Sequence, residues 1–489
     1  MMKVKLASLL AGWLDIPLPE SVNISLDDLV IDSRQVKPGC VFVAVLGTLS
    51  DGRLYIDKAI ANGAVGVLAQ TLSPEQDGTI EQRNGVPVIY CYGLKMQLAT
   101  LAKCCFGPLP EYVIGVTGTN GKSTTTHLLA SLANQHNIPA ALMGTLGNGR
   151  PGQLHRALNT TADIFTIYRT LSQFAAQGIQ LVAMEVSSHG LDQGRVAGID
   201  FKAAIFTNLT RDHLDYHGTM QAYGQAKEQL FDLTDSQVQL VNCDDPFGLE
   251  LLARHPHAVS YGQNVNSDWQ AEIVAMTPQG VQISVYHGEE CYALDVPLLG
   301  EFNVSNLLAA ASCLDELGLV AFSQLTDCDQ LKTVPGRMEL FNGCSQAVVD
   351  YAHTPDALAK ALQGLRSHCQ GKLYCIFGCG GDRDSGKRPL MAQAAEHYAD
   401  VVIVTNDNPR TEPAEQIAQD ICRGFSDSFP YSVILDRRTA IKTALEQAGH
   451  EDMVLVAGKG HEDYQIIGHD KFPYDERSFV AQAVKECLC

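Results

Sequence analysis

The chain lacks any apolar run long enough to span a bilayer, so no membrane-inserted segment is expected. Basic residues are scarce: 35 Lys and Arg stand against 55 Asp and Glu, for a formal net charge of −20. Such a surface repels nucleic acid, and no long basic run offsets it, so nucleic acid is not an expected partner. Zinc-ligand spacing is missing as well. The 15 cysteines are odd in number and scattered. Cys104-Cys105 and Cys487-Leu488-Cys489 are too close together for a zinc site, and Cys375 and Cys379 sit in or beside an apolar strand. Reduced structural thiols of a cytoplasmic protein fit this usage. Repeats and low-complexity tracts are absent. The apolar patch within Met1 to Leu14 is interrupted by Asp15 and followed by no small-residue cleavage site, so no signal peptide is expected.

What is present is an α/β pattern in three blocks, consistent with 489 residues exceeding one hydrophobic core. The first block, 1–93, alternates short strands at Leu29–Arg34, Cys40–Val45, Ala64–Leu68 and Val86–Tyr90 with helix-like segments. Pro87 cannot donate to a ladder, which predicts that its strand starts there or runs along an edge. The second block, 94–332, has fully apolar strands at Leu181–Val186, Ala203–Thr207 and Val238–Val241, the pattern of a parallel sheet covered on both faces. Alternating residues from Glu272 to Leu299 predict antiparallel strands, and Asn303 to Leu317 predicts an amphipathic helix. The third block, 333–489, has buried-type strands at Lys372–Phe377, Val401–Thr405 and Met453–Ala457, each ending in a glycine-rich or polar loop. Open α/β sheets bind ligands at such ends.

Chemistry concentrates first at Thr117-Gly118-Thr119-Asn120-Gly121-Lys122-Ser123-Thr124-Thr125, between the apolar run Tyr112–Val116 and a helix through Leu128, Leu129 and Leu132. Strand, glycine turn, Lys-Ser and helix are the parts of a phosphate-binding P-loop, with Val116 standing where the strict pattern has glycine. Lys122 would reach the terminal phosphates of a nucleotide, and Ser123 would offer a hydroxyl to Mg2+. Glu185, at a strand end, is placed to hold Mg2+ or to be a solvated carboxylate. His213 reads either as a metal ligand or as a capping residue. Lys227 lies on a helix through Tyr223–Phe231, where a surface lysine is the default. Arg337, after a Pro-Gly turn, reads as a phosphate contact or a turn arginine. Three loops close the list: Gly378–Asp384, Asp407-Asn408-Pro409-Arg410 and Gly458-Lys459-Gly460-His461-Glu462. Arginine suits a ligand carboxylate and glutamate an ammonium, and an amino acid carries both.

These residues resemble the muramyl ligases of peptidoglycan synthesis. The resemblance runs from Asp32-Ser33-Arg34 to Glu462-Asp463-Tyr464-Gln465 and includes Glu185-Val186-Ser187-Ser188-His189, Asn303-Val304-Ser305-Asn306 and Asp350-Tyr351-Ala352-His353-Thr354-Pro355. It implies a uridine-nucleotide domain, a central ATPase domain and a C-terminal Rossmann-like domain for the incoming amino acid. The implied reaction is ATP-driven amide formation through an acyl phosphate. A monomer would join UDP-N-acetylmuramoyl-L-alanyl-D-glutamate to an amino acid, and the Asp407–Arg410 loop is similar to the signature for meso-diaminopimelate. ATP would lie on Gly118, Thr119, Asn120, Gly121, Lys122, Ser123, Thr124, Asn303, Arg337, Asp350 and His353. Lys122, Glu185, His213 and Lys227 would be catalytic. Ser123, Glu185, His213 and a CO2-derived carbamate on Lys227 would hold Mg2+. Uridine contacts fall on Ile31, Ser33, Thr48, Leu49 and Ser50, and muramyl-peptide contacts on Asn159, Thr160, Thr161, Ser187, Gln193 and Arg195. Diaminopimelate falls on Arg383, Asp407, Asn408, Pro409, Arg410, Gly458 and Glu462. The sequence departs from the family at Thr160-Thr161-Ala162-Asp163, where Thr-Thr-Gly-Ser is expected, at Ser123, where threonine is common, and at Thr48-Leu49-Ser50. A sister ligase using another amino acid, a folylpolyglutamate synthetase, and a nucleotide-binding regulator without ligase activity are the alternatives.

Overall fold

The computed structural model describes residues 4–11, 13, 22–47, 50–233, 238–263, 266–328, 331, 333–343 and 345–486. Leu14, Asp15, Thr48, Leu49 and Cys487–Cys489 lie outside them. Two compact units form: Met1–Gly118, Asn137–Ala204 and Arg211–Gln237 make the first, and Thr119–His136, Ile205–Thr210 and Val238–Cys489 the second.

The first unit opens with a sheet of β1 (Asp28–Val30), β2 (Cys40–Ala44), β3 (Gly66–Thr71), β4 (Ile80–Arg83) and β5 (Val86–Tyr92), in the order β1-β2-β3-β5-β4. All pairs are parallel except β4 with β5. The run Leu29–Arg34 reads as one strand, but β1 stops at Val30. Asp32 bends the chain, its Oδ1 accepting the Arg34 N–H at 2.9 Å and its carbonyl accepting the Gln35 N–H at 2.9 Å. β5 starts one residue before Pro87, in line with a strand beginning there, but it is not an edge, since it lies between β3 and β4.

Helix α1 (Leu94–Cys105) and β6 (Tyr112–Thr117) follow. The chain passes to the second unit between Gly118 and Thr119, forms α2 (Lys122–Gln135) there, and returns at Asn137. It then adds β7 (Ala140–Gly144), β8 (Gly147–Arg150), β9 (Gln153–His155), α3 (Ile164–Ala176), β10 (Leu181–Glu185) and α4 (Ser188–Asp192). The strands order β9-β8-β7-β10-β6, with β10 parallel to both neighbours. Every residue of β10 is buried, as its unbroken apolar run predicts. Polar caps start the helices: Asp163 accepts the Thr166 N–H, and Ser187 the Gly190 N–H. β11 (Phe201–Phe206) is divided between the units after Ala204, and α5 (Leu214–His217) and α6 (Met220–Asp232) belong to the first.

In the second unit, β12 (Val238–Asn242) and β13 (Val259–Gly262) are parallel. β14 (Trp269–Thr277), β15 (Gly280–His287) and β16 (Glu290–Val296) form the expected antiparallel meander. Helix α7 (Glu301–Glu316) is not amphipathic: every residue from Asn306 to Leu314 is buried. Its small residues Ala309, Ala310, Ala311, Ser312 and Cys313 let it pack against α2 and the strands at once.

The last sheet runs β17 (Glu339–Asn342), β18 (Gln346–Asp350), β19 (Leu373–Phe377), β20 (Val401–Val404), β21 (Tyr431–Val433) and β22 (Met453–Ala457), ordered β17-β18-β22-β19-β20-β21. Only β17 is antiparallel. Helices α8 (Pro355–Arg366), α9 (Lys387–Tyr398) and α10 (Ala414–Cys422) cover one face. α11 (Arg437–Gln447) and α12 (Glu476–Glu486) cover the other. This doubly wound order makes the loops after β22, β19 and β20 neighbours. His368, just past α8, accepts the Gly300 N–H at Nε2 (2.9 Å) and sets Nδ1 2.6 Å from the Thr277 carbonyl, and burial lowers its pKa. No disulfide joins the described cysteines to one another. Among the described residues no helix is long and apolar enough to cross a membrane.

Candidate active site

In the second unit, α2 begins at Gly121, whose φ of +87° suits glycine. A Cβ there would sit 2.4 Å from Asn306 Oδ1, so the close approach of Asn306 requires glycine too. Ser123 and Thr124, the next residues of the helix start, are buried. The loop before them is held from behind: Thr119 N–H donates to the Asn208 carbonyl, Asn120 N–H to Asn208 Oδ1, and Thr207 Oγ1 to the Asn120 carbonyl. Lys122 Nζ lies 2.9 Å from the Thr119 carbonyl. The helix N-terminus thus forms a fixed anion cradle. Asn303 sits one turn from it, its amide donating to the Leu299 carbonyl at 2.7 Å and accepting from Asn306 at 3.0 Å. Asn306 is the side chain that touches the loop, and the sequence reading assigned it no role.

In the first unit, Glu185 is 1 % exposed, which rules out a solvated carboxylate. Its Oε1 accepts the Thr145 N–H at 2.9 Å and its Oε2 the Thr145 hydroxyl at 3.1 Å. Thr160 meets that hydroxyl at 2.9 Å, and Thr161 donates to the Glu185 carbonyl while accepting the Ser187 N–H. Arg195 donates to the Thr161 carbonyl at 2.7 Å and to Gln193. Thr160, Thr161, Ser187, Gln193 and Arg195 therefore gather around Glu185, while Asn159 is exposed beside them. Thr145 is a further member that no motif flagged. Lys227, expected at the surface, is instead 1 % exposed: Nζ donates to the Gly118 carbonyl at 2.7 Å and lies 4.3 Å from the Tyr223 ring centroid. His213 has φ +51° at the N-cap of α5 without a side-chain cap bond, and its ring meets His189 edge-on at 4.9 Å. Burial first, and then the neighbouring histidines, lowers the pKa of His189. For His217 burial again comes first.

The third cluster occupies the adjacent strand ends of the second unit. Asp407 and Asn408 after β20 and Gly458 and Lys459 after β22 are buried, and Glu462 is half-buried. Asn408 Nδ2 donates to Glu462 Oε2 at 3.1 Å. Arg410, at φ +52°, donates to the Gly381 carbonyl at 2.8 Å, and Pro409 is buried against Gly381. Arg383 is exposed on the same loop as Gly381. Two charged residues brace the frame. Arg388 binds Glu412 and Asp420, and Arg437 binds Glu476 while donating to the Asn406 and Ala457 carbonyls that begin the two loops. Beside this pocket, the guanidinium of Arg337 lies 4.6 Å from the Tyr351 ring centroid, with Nε buried and lacking a hydrogen-bond partner. Gly336 is pressed on the Gly458–Glu462 loop: a Cβ on it would fall 2.2 Å from the Gly460 carbonyl carbon. Asp350 accepts the Met338 and Ala352 N–H groups, and desolvation raises its pKa. His353 is exposed.

Of the uridine-side residues, Ser33 is buried, Ile31 half-buried and Ser50 exposed. Thr48 and Leu49 lie outside the described residues.

Three family domains match in chain order: the Mur ligase family catalytic domain over 26–103, the Mur ligase middle domain over 116–314, and the Mur ligase glutamate ligase domain over 336–460. The chain belongs to the Mur ligase family. Its α/β class and three-domain architecture are those expected from the sequence. This Mur ligase is 45% identical, over 98% of both chains, to the UDP-N-acetylmuramoyl-L-alanyl-D-glutamate–2,6-diaminopimelate ligase of Vibrio vulnificus (strain YJ016). It is 44% identical to the ligase of the same name from Haemophilus influenzae (strain PittEE), over 96% of this chain and 98% of the relative. A solved structure of a UDP-N-acetylmuramoyl-L-alanyl-D-glutamate–2,6-diaminopimelate ligase superposes with a TM-score of 0.70 at 35% identity, covering 99% of both chains.

Among the described residues of this Mur ligase, no three His, Cys, Asp or Glu side chains gather as a metal cage. Glu185 nonetheless fits a hard divalent cation, because both its oxygens are already aimed by neutral donors and its burial leaves an anionic charge to be balanced. A cavity of about 380 Å3 in the second unit is lined by Asn242, Asp244, Gln263, Phe302, Ser305 and Lys360. Phe302 and Ser305 in this lining belong to α7, the helix that also carries Asn306, and Phe302 offers the cavity an aromatic face.

Proposed function

We propose that this chain is the ATP-dependent ligase that joins meso-2,6-diaminopimelate to UDP-N-acetylmuramoyl-L-alanyl-D-glutamate in cytoplasmic peptidoglycan precursor synthesis. The observation that carries this reading is the pocket at the ends of β20 and β22. Arg410 stands there for a ligand carboxylate, and the acidic pair Asp407 and Glu462 for its ammonium, in a chain that also holds a P-loop. Segments 1–93, 94–332 and 333–489 serve the uridine nucleotide, ATP and the amino acid, respectively.

ATP binds on the loop from Gly118 to Thr124, with its phosphates at the start of α2 and Asn306 and the turn of Arg337 beside them. Its adenine occupies the cavity at Phe302. Arg337, its Nε still unpartnered, takes a phosphate oxygen. Ser123 and Glu185 would hold Mg2+, His213 would serve a second ion, and a carbamate on Lys227 would add an oxygen donor. Such a metal would supply charge neutralisation at the phosphates. Asn159, Thr160, Thr161, Ser187, Gln193 and Arg195 hold the muramyl peptide. Ile31, Ser33 and the loop at Ser50 hold the uridine end.

The D-glutamate γ-carboxylate oxygen attacks the γ-phosphorus, the bond to the β-phosphate oxygen breaks, and ADP leaves. Lys122 screens the approach of two anions and stabilises the charge that builds during transfer. Arg383, Asn408, Arg410, Gly458 and Glu462 orient diaminopimelate so that its amine attacks the acyl carbon. The carbon–oxygen bond to phosphate breaks, phosphate leaves, and the amine proton is lost to solvent or to an acidic neighbour. Holding both reactants in register supplies much of the rate.

A panel of amino acids tests this. With the UDP-linked dipeptide and ATP present, phosphate release should be fastest with meso-diaminopimelate and slow with L-lysine. Release equally fast without either acceptor would instead make the chain a simple nucleotide hydrolase.

A further inference from the structure

We propose that Lys459 is the positioning residue that sets the amino-acid pocket, a role resting on the amino-acid reading of that pocket given above. Lys459 is 0 % exposed. Its ammonium lies 3.1 Å from Asp407 Oδ1, 3.1 Å from Asn408 Oδ1 and 3.0 Å from the Tyr464 carbonyl, with Glu462 Oε2 at 3.9 Å. Two of its protons go to Asn408 Oδ1 and the Tyr464 carbonyl, and Asp407 is held as an ion pair whose Oδ1 makes no hydrogen bond. Fully buried, the lysine acts through the groups it holds.

Those groups are the ones that face the amino acid. Asn408 Oδ1 is claimed by Lys459 and by the Ile466 N–H at 2.9 Å, which forces the other end of the amide, Nδ2, toward Glu462. Reverse that amide and its oxygen would face a carboxylate. Lys459 therefore fixes Asn408 in one orientation, and Asn408 fixes Glu462. Its charge also sets the electrostatics. Asp407 and Glu462 bring two carboxylates to Lys459, and the Arg437 guanidinium also faces Asp407. Glu462, the farther of the two from Lys459 at 3.9 Å and half-buried, is the carboxylate left for an incoming ammonium. With Lys459 neutral, two carboxylates would compete for protons and one would be neutralised, leaving less to attract a ligand cation.

The test compares Lys459→Met, which keeps length and burial but removes the charge, with Lys459→Arg, which keeps the charge in a wider head. Initial rates are measured with saturating ATP and UDP-linked dipeptide while meso-diaminopimelate is varied, and again with ATP varied. Lys459→Met should raise the KM for diaminopimelate by about 30-fold or more, as for truncating one partner of a buried charge pair. The KM for ATP should stay within about two-fold and kcat should change less than KM. The acid limb of kcat/KM should move to higher pH, a shift that loss of packing alone does not produce. Lys459→Arg should recover part of the KM loss and the acid limb.

A folded Lys459→Met enzyme with unchanged KM for diaminopimelate would overturn the proposal. So would equal increases in the KM for diaminopimelate and for ATP. If Lys459→Met does not fold, Lys459→Arg decides alone: a KM raised for the amino acid only supports the role, and an unchanged or uniformly raised KM overturns it. Failure of the amino-acid reading looks different, because wild-type phosphate release would then respond to no amino acid.

Discussion

The sites proposed for phosphate and for the amino acid in this Mur ligase are built on opposite principles. The cradle is backbone: N–H groups at the start of α2, two glycines, and neighbours such as Asn208 and Asn306 that hold the loop from behind. The pocket is charge on charge: Lys459 among Asp407, Asn408 and Glu462, Arg437 on Glu476, and Arg388 on Glu412 and Asp420. A triphosphate is recognised by a form common to every nucleotide, and amides on a helix end suffice. One amino acid among many is recognised by where its charges lie, and that needs fixed ions whose desolvation must be offset by partners. Generality can be carried by main chain; selectivity requires a braced set of side chains.

The comparison can be broken hardest at the cradle. Lys122→Met should lower the turnover of phosphate release by about 10³-fold, the scale of removing a transition-state donor, while binding of the UDP-linked dipeptide persists in calorimetry. Glu185→Gln should fall by a similar factor, and a variant that kept full activity would take Glu185 out of the site. On the pocket side, Arg437→Met leaves Glu476 buried without its guanidinium, and the stability loss should be about 3–5 kcal/mol in denaturant unfolding. Arg410→Met should instead leave stability nearly unchanged and raise the KM for diaminopimelate by about 100-fold. Unchanged kinetics would remove the loop from the pocket.

Gly144→Ala sharpens the contrast more gently. The added Cβ would fall 2.2 Å from Glu185 Oε1, so kcat should drop by about ten-fold while the KM for the amino acid holds. The smallest effect concerns pH. His127, buried in α2, has its pKa lowered to about 4 by desolvation. A folded-state pKa below the unfolded value of about 6.5 means the unfolded chain takes up the proton first. Stability is therefore lost as pH falls from about 6.5 toward 4, by about 1 kcal/mol between pH 7 and 5.5. Thermal melts at those two pH values should converge in His127→Gln by that amount.

How much could be read beforehand follows the same division. The P-loop, Glu185 and the three strand-end loops were legible because glycine, Lys-Ser and apolar runs carry local physics. The burial of Lys227 was not, since nothing within its helix distinguishes a lysine that will point at Gly118 from one that will point at water. Thr145 and Asn306 reach the site through tertiary contacts 40 and 181 residues away in sequence, which no spacing encodes. Arg437 and Lys459 look like ordinary cations until their acids, Glu476 and Asp407, fold against them. The amphipathic reading of α7 failed for a related reason: a helix flanked on several sides is buried all round, and periodicity reports only one covered face.

The seam between Gly336 and Gly460 has a bearing on inhibitors. A Cβ on Gly336 would strike the Gly460 carbonyl carbon at 2.2 Å, and one on Gly460 would meet Tyr351 Cβ at 2.6 Å. Neither position can accept a side chain without parting the turn of Arg337 from the loop of Glu462. A small molecule that reads these two backbones would lie against a surface the organism cannot alter by a single tolerated substitution, so escape from it would have to arise elsewhere.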